Sequence, residues 1–156
     1  MLRRHFTLIV SIIALAWVVW LLRLWQPARQ VRLHTESFLE SIESRDWKSA
    51  SERIADDYSD RWGHDKRELV ERSREVFAQF LFITLEARDL DVVEINGRGE
   101  ASAHLTLRGA GGPLAQLAMQ RAAELRAPFV FTWRQQSWKP WDWTLVRVEQ
   151  PELKVD

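Results

Sequence analysis

The chain has 156 residues, the length of a single domain, and its 22 basic and 22 acidic side chains give a formal net charge of zero. Apolar residues make up 46% of it and nine residues are tryptophan, which excludes a fully disordered or collagen-like chain. Without a basic excess a nucleic-acid binder is not expected, and without cysteine no disulfide pattern indicates the compartment.

An apolar segment lies near the N-terminus. Residues 6–25 carry one charge, Arg23, and the uncharged stretch from Phe6 to Leu22 would span about 25 Å as a helix. This segment has no polar face, and its length approaches the thickness of the hydrocarbon core of a bilayer. The sequence therefore predicts an N-terminal tail and one transmembrane anchor within residues 1–25.

A cleaved signal peptide is the alternative, because Ala14-Leu15-Ala16 has the small-residue pattern of a cleavage site. Cleavage there would leave a strongly apolar new N-terminus, so an uncleaved anchor is preferred. The arginine count, two before the segment and three from Arg23 to Arg32, slightly favours a cytoplasmic domain. A signal-anchor normally keeps its short charged tail inside, however, and on that ground we expect an extracytoplasmic domain.

Three helical patterns follow a predicted linker at residues 26–33. Thr35 is suited to cap a first helix and Asp46 a second, while Asp65 and Glu68 resemble a capping box for a third. Only a short break separates the first two helices, so they should form a hairpin. The apolar faces of the three predicted helices comprise Phe38, Leu39 and Ile42; Trp47, Ala50, Ile54 and Tyr58; and Leu69, Ser73, Val76, Phe77 and Phe80.

The hydrophobic period then changes to two, which is typical of strands. A first strand has Leu81, Ile83, Leu85 and Ala87 on one face and runs on to Asn96-Gly97, a strong hairpin signal. Three more strands are predicted at 101–108, 129–133 and 141–148, with a Pro-started helix at 113–126 inserted between the second and third.

This order of elements predicts an α+β fold, with helices packed against one face of a curved antiparallel sheet. The domain is expected to occupy residues 34–150, and residues 151–156 form a tail.

Several short stretches give the chain a family likeness. These are Ser44-Arg45-Asp46-Trp47, Ile54 to Tyr58, Asp60-Arg61-Trp62-Gly63 and the aromatic hairpin from Trp138 to Trp143. With them, residues 33–150 resemble the nuclear transport factor 2-like superfamily, also called the ketosteroid-isomerase-like or cystatin-like roll. The resemblance implies a cone-shaped roll, here preceded by a transmembrane helix, whose mouth often holds a small apolar ligand or a catalytic site.

The resemblance also allows an enzyme interpretation to be tested. In the steroid isomerase branch an aspartate after the second helix is the general base, and Asp60 looks like its counterpart. That chemistry also needs a tyrosine from the first helix, where this chain has Phe38, and an acid from a late strand. The strand from Phe129 to Trp138 contains no acid. Isomerase chemistry is therefore not expected.

Metal and cofactor sites are not predicted either. His34, His64 and His104 lack ligand-like spacing and no cysteine is present. The aromatic residues are more informative, since two or three rings at the mouth of a cone would form a site for a flat apolar ligand or a peptide. The candidate pocket residues are Phe38, Tyr58, Trp62, Trp133 and Trp143.

Three functional hypotheses follow. The first is a single-pass membrane protein, held in the lipid bilayer by residues 6–25, whose domain is a non-catalytic binding or assembly module. The second is a membrane-anchored small-molecule enzyme that uses Asp60 as general base, with Tyr58 or Trp62 shaping its pocket. The third is a structural role as a homodimer or with another protein partner, since sheets of this superfamily often pair. A nucleic-acid partner is not expected.

Overall fold

The computed structural model describes residues 12–18, 20 and 26–153. Residues 12–18 are helical. Among the described residues, no helix combines the length and the apolar character that crossing a bilayer requires. The predicted transmembrane segment, residues 6–25, lies largely outside the described residues and stays a prediction.

Helix α1 spans Pro27–Glu43 and begins earlier than the sequence pattern indicated. Pro27 occupies its first turn, where a missing N–H costs nothing, so the expected linker at residues 26–33 is mostly helix. Thr35 is not the N-cap: it is buried inside the helix and donates its hydroxyl to the carbonyl of Val31, 2.9 Å away. The correction follows from the buried stripe of α1, which extends back to Val31.

The next two helices begin directly after Asp46 and Asp65, the residues that were predicted to cap them. Helix α2 spans Trp47–Glu52, and the Asp46 side chain accepts a hydrogen bond from the Ser49 N–H. Helix α3 spans Lys66–Phe77 and has the predicted capping box, in which Asp65 and Glu68 each accept the backbone N–H of the other. No residue of α3 is fully buried, so this helix lies over the domain without being enclosed by it.

Four antiparallel strands form one sheet in the order β1-β2-β3-β4. Their bounds are β1 Phe80–Ile95, β2 Arg98–Gly111, β3 Phe129–Gln135 and β4 Trp143–Glu149. The hairpin turn at Asn96-Gly97 is confirmed, with φ of 53° and 77° at its two residues. Strand β4 begins two residues later than expected, and Trp141 lies in the preceding loop.

Register shifts bend the sheet around the helices. They fall between Phe80 and Phe82 and between Arg88 and Asp91 in β1, and between Thr132 and Trp133 in β3. The first shift corrects the predicted inner face of β1. Phe80 and Ile83 are buried, whereas Leu81 is 84% exposed.

Helix α4 spans Pro113–Glu124 and connects β2 to β3, which confirms the helix predicted between the second and third strands. Its contact face differs from the expected one, because Ala115 is its only buried residue and Leu114 is exposed. The reason is a close approach to the strand: a Cβ on Gly111 would lie 2.6 Å from the Cβ of Ala115. A larger side chain at position 115 would not fit there.

The predicted C-terminal tail is partly fixed to the domain. Gln150 is fully buried, donates its side-chain amide to the carbonyl of Ala127 and accepts the N–H groups of Glu152 and Leu153. The Leu153 carbonyl in turn accepts the indole N–H of Trp62 at 2.9 Å. Residues 151–153 therefore pack against the domain, and residues 154–156 lie outside the described part of the chain.

The domain has two ends, defined by the direction of the strands. The closed end holds the start of α1, the turn at Asn96-Gly97 and the loop 136–142. The open end holds the start of β1, the end of β2 and most of α3 and α4. Helix α1 runs from the first to the second, since Arg32 bonds the Leu90 carbonyl and Arg45 bonds the Phe80 carbonyl.

Candidate ligand-binding cavity

A cavity of about 200 Å³ lies between the helices and the sheet at the open end. Side chains from all four strands and from helices α1, α3 and α4 contribute to its wall. Its main lining residues are Phe38, Phe77, Leu85, Leu105, Phe129 and Phe131. Among the described residues that line it, Ser73 is the only polar one and none is charged. This cavity is therefore suited to an apolar molecule.

A second cleft, of about 330 Å³, adjoins this cavity. The two share five lining residues, Leu69, Ser73, Phe77, Phe129 and Val148. Polar residues also line this cleft, among them Asp60, His64 and Arg72. The apolar cavity therefore adjoins a cleft whose lining includes ionisable side chains.

The five predicted pocket residues divide between the two ends of the domain. Phe38 lines the cavity and Trp62 lines the cleft. Trp133 and Trp143 are buried in the core at the closed end, and Tyr58 is buried nearer to Asp60. The structure therefore brings Phe38 and Trp62 to the candidate site, whereas Trp133 and Trp143 pack in the core.

The Asp60 side chain is fully buried and is held by three hydrogen bonds. Its Oδ1 accepts the backbone N–H groups of Trp62 and His64, both at 2.9 Å. Its Oδ2 lies 3.0 Å from Nδ1 of the His64 ring. Asp60 therefore organises the turn that follows α2 and fixes the orientation of the His64 imidazole.

His64 is the polar residue that sequence reasoning did not connect with Asp60. Its ring is 15% exposed and lines the cleft, and its Nε2 has no hydrogen-bond partner within the described residues. Asp60 and His64 are four residues apart in the sequence, but that spacing predicts a contact only within a helix, and these residues lie in a loop. Only the turn at Gly63, with φ of 83°, brings the two side chains together.

Tyr58 lies next to this pair and is uncharged over the physiological range. Burial raises the pKa of the Tyr58 phenol, and the negative charge of Asp60 raises that pKa further. Over residues 12–18, 20 and 26–153, no three histidine or acidic side chains lie close enough together to hold a metal ion. The expectation that the domain works without a metal or cofactor stays a prediction.

Comparison with known proteins gives the fold. No protein-family model matches the chain, and no curated protein is similar to it in sequence. A provisionally assigned dehydratase of the NTF2-like family from Streptomyces avermitilis matches in structure, with a TM-score of 0.57 and 18% identity over 78% of this chain and 91% of that one. The domain has a nuclear transport factor 2-like (NTF2-like) fold.

Two further solved structures are similar to the NTF2-like domain. A cystatin-like protein of unknown function from Nostoc punctiforme matches with a TM-score of 0.53 and 14% identity, over 80% of this chain and 91% of that one. Bd1075 of Bdellovibrio bacteriovorus matches with a TM-score of 0.59 and 8% identity, over 82% of this chain. This chain spans 41% of the length of Bd1075. At these identities the similarity establishes the fold and no activity.

Proposed function

We propose that this protein is a membrane-anchored binding module whose NTF2-like domain holds a small apolar molecule. The observation that carries the proposal is the cavity of about 200 Å³ with an almost entirely apolar wall. Residues 6–25 provide the anchor, since they carry only one charge and nearly match a bilayer in length. The orientation that we retain is an extracytoplasmic domain.

The cost of an unfilled cavity supports a binding role. Protein interiors are normally packed to the density of organic crystals, and a void deprives the surrounding side chains of dispersion contacts. Because the cavity opens to solvent, its apolar wall stays in contact with water, and this exposure carries a free-energy cost that an apolar ligand would remove. Larger side chains at Ala122 or Ser73, which line the cavity, would remove this cost. A domain that needed only stability would gain from them.

Two larger clefts fit an apolar ligand less well. They measure about 440 and 450 Å³ and are lined mainly by charged side chains such as Asp56, Lys66 and Arg134. Transferring an apolar molecule to such a surface would gain little, because charged groups keep their water. The apolar cavity at the open end is thus the better candidate.

A pair of matched variants tests the binding proposal. Ala122 lines the cavity on α4, and its neighbour Ala123 is exposed on the same helix. We expect indole to raise the unfolding temperature of the full chain in detergent, and Ala122→Phe to abolish that rise. Ala123→Phe is the control for helix propensity and for uptake of indole by the micelle. An equal rise in all three proteins would refute binding in the cavity.

A second candidate function is proton transfer, which the Asp60–His64 pair favours. The hypothesis from sequence made Asp60 the general base, but its two oxygens already accept three hydrogen bonds. Asp60 is better suited to orient His64, whose free Nε2 would then take the proton. This pair lines the cleft that adjoins the apolar cavity. A bound ketone with its carbonyl toward the cleft would meet the base.

Exchange of carbon-bound protons tests this second function. We expect the full chain to accelerate deuterium uptake at the carbons next to the carbonyl of cyclohexanone, followed by proton NMR in heavy water. His64→Gln should remove the acceleration, and Asp60→Asn should reduce it by misorienting the ring. His104→Gln is the control, since that histidine lies on the exposed outer face of β2. No acceleration by the unmodified protein would count against catalysis.

A further inference from the structure

Three segments that are distant in sequence meet at the closed end of the domain. Gly99 touches α1 so closely that an added Cβ would lie 2.3 Å from Cγ2 of Val31. The Gln135 N–H donates to the Gly97 carbonyl at 2.9 Å, which joins the end of β3 to the β1–β2 turn. His34 of α1 contacts the Trp141 carbonyl at 3.0 Å. The start of α1 therefore shares one surface with the loop 136–142.

Large apolar side chains are exposed on this surface. Trp138 is 85% exposed, Trp141 is 55% exposed, and Ile95 beside the β1–β2 turn is 65% exposed. By contrast Trp133 and Trp143, from the same β3–β4 hairpin, are buried. Indoles find a burial site in most domains of this size, so two exposed ones in one short loop indicate a partner.

The loop that carries these indoles is well ordered by hydrogen bonds. The Gln136 N–H donates to the Asp142 carbonyl at 2.8 Å, and Gln135 donates its side-chain amide to the Lys139 carbonyl at 3.0 Å. The Trp143 indole donates to the Pro140 carbonyl at 2.8 Å. The backbone between the two indoles is thus held in place, and their exposure is a property of the fold.

The place of residues 6–25 in the sequence indicates that the partner of this surface is the lipid bilayer. Residues 6–25 connect directly to α1, whose first residue, Pro27, lies at the closed end. If these residues span a bilayer, the closed end is the part of the domain nearest to the headgroups. Indole rings prefer the membrane interface, and basic side chains favour anionic headgroups. Lys139 between the two indoles and Arg29 in the first turn of α1 are both exposed.

We infer that the closed end is a lipid-contacting face, on which Trp138 and Trp141 insert into the headgroup layer of the bilayer that holds residues 6–25. This inference rests on the proposed anchor. It adds a fixed orientation of the domain, with the closed end on the membrane. The apolar cavity lies at the opposite end, so its ligand enters from the aqueous phase.

Site-directed fluorescence quenching tests the contact, because the chain contains no cysteine. Lys139→Cys places a label between the two indoles, and Ala78→Cys places one at the exposed C-terminus of α3, at the open end. Each full-length variant is labelled with bimane and reconstituted in vesicles of phosphatidylcholine and phosphatidylglycerol that carry a headgroup nitroxide. Compared with the same vesicles without nitroxide, we expect loss of most of the fluorescence at position 139 and little loss at position 78.

A second variant separates insertion from mere proximity. Trp138→Ser with Trp141→Ser, in the Lys139→Cys background, should remove most of the quenching that depends on the nitroxide, while the unfolding temperature stays close to that of the parent. Quenching at position 139 no stronger than at position 78, in protein that floats with the vesicles, would overturn the lipid contact and leave the anchor intact. Protein that does not float with the vesicles would overturn the anchor and this inference together.

Discussion

The closed end and the open end of this domain are built from the same sheet and the same first helix, yet they are packed differently. At the closed end Val31, Trp133 and Leu145 are fully buried, and Gly99 leaves no room for a methyl group. At the open end a cavity of about 200 Å³ remains among aromatic and aliphatic side chains. Apolar composition alone therefore does not decide whether a region becomes a closely packed core or keeps a cavity.

The helices that cover each end account for the difference. Helix α1 presents a continuous buried stripe to the sheet, with Val31 and Phe38 both on it. Helix α3 has no fully buried residue, and α4 has only Ala115. A helix that buries few side chains is anchored weakly and opens at lower free energy than the core. We therefore expect the wall formed by α3 and α4 to open more readily than the wall formed by α1.

The largest expected effect distinguishes the two ends by one substitution made at each. Leu145→Ala in the filled closed end should lower the free energy of unfolding by about 3–5 kcal/mol, because the neighbours cannot collapse into the space. Leu105→Ala, in the cavity wall, should cost only about 1–2 kcal/mol, since that side chain already lacks contacts on one side. Urea unfolding of the full chain in detergent measures both. Equal losses would show that the ends are packed alike.

A smaller effect is expected from adding one methyl group at the closed end. Gly99→Ala would place its Cβ against Val31 and should lower the free energy of unfolding by about 1–3 kcal/mol through overpacking. The double variant Gly99→Ala with Val31→Ala should lose less than the sum of the two single variants, because the clash is then relieved. Strict additivity in the same unfolding experiment would contradict the close contact.

The smallest effect is a pH dependence at the closed end. Burial lowers the pKa of His34, and the charge of Arg53 lowers that pKa further, against the raising effect of the hydrogen bond to Trp141. The unfolded chain therefore binds a proton at higher pH than the folded one. The free energy of unfolding should begin to fall as the pH drops below about 6.5, the ordinary pKa of histidine. It should keep falling until the pH is below the lowered pKa of His34 in the folded chain.

Two variants check this pH dependence. His34→Gln keeps a donor for the Trp141 carbonyl and should flatten the fall in the free energy of unfolding between pH 7.5 and 5.5. His104→Gln, whose parent side chain is 45% exposed, should retain the dependence of the unmodified chain. The assignment to His34 is wrong if the two variants change the slope equally.

Parts of the candidate site followed from the sequence, and the rest did not. Phe38 was expected at the pocket from its helical face, and it lines the cavity. Leu85 was expected on the apolar face of the first strand, but alternation does not show whether a residue lines a cavity or fills a core. The contact of Asp60 with His64 depends on a turn at Gly63, and neither helical nor strand periodicity in the sequence predicts it.

The sequence by itself determined the elements whose signals are local. Asp46 and Asp65 cap their helices and Asn96-Gly97 makes its hairpin because those interactions involve residues only a few positions apart. The tertiary structure decided that β1 shifts its face at Phe80. It also decided that a cavity persists at the open end and that Trp138 stays exposed. These outcomes depend on distances between segments far apart in the chain, which local preferences do not specify.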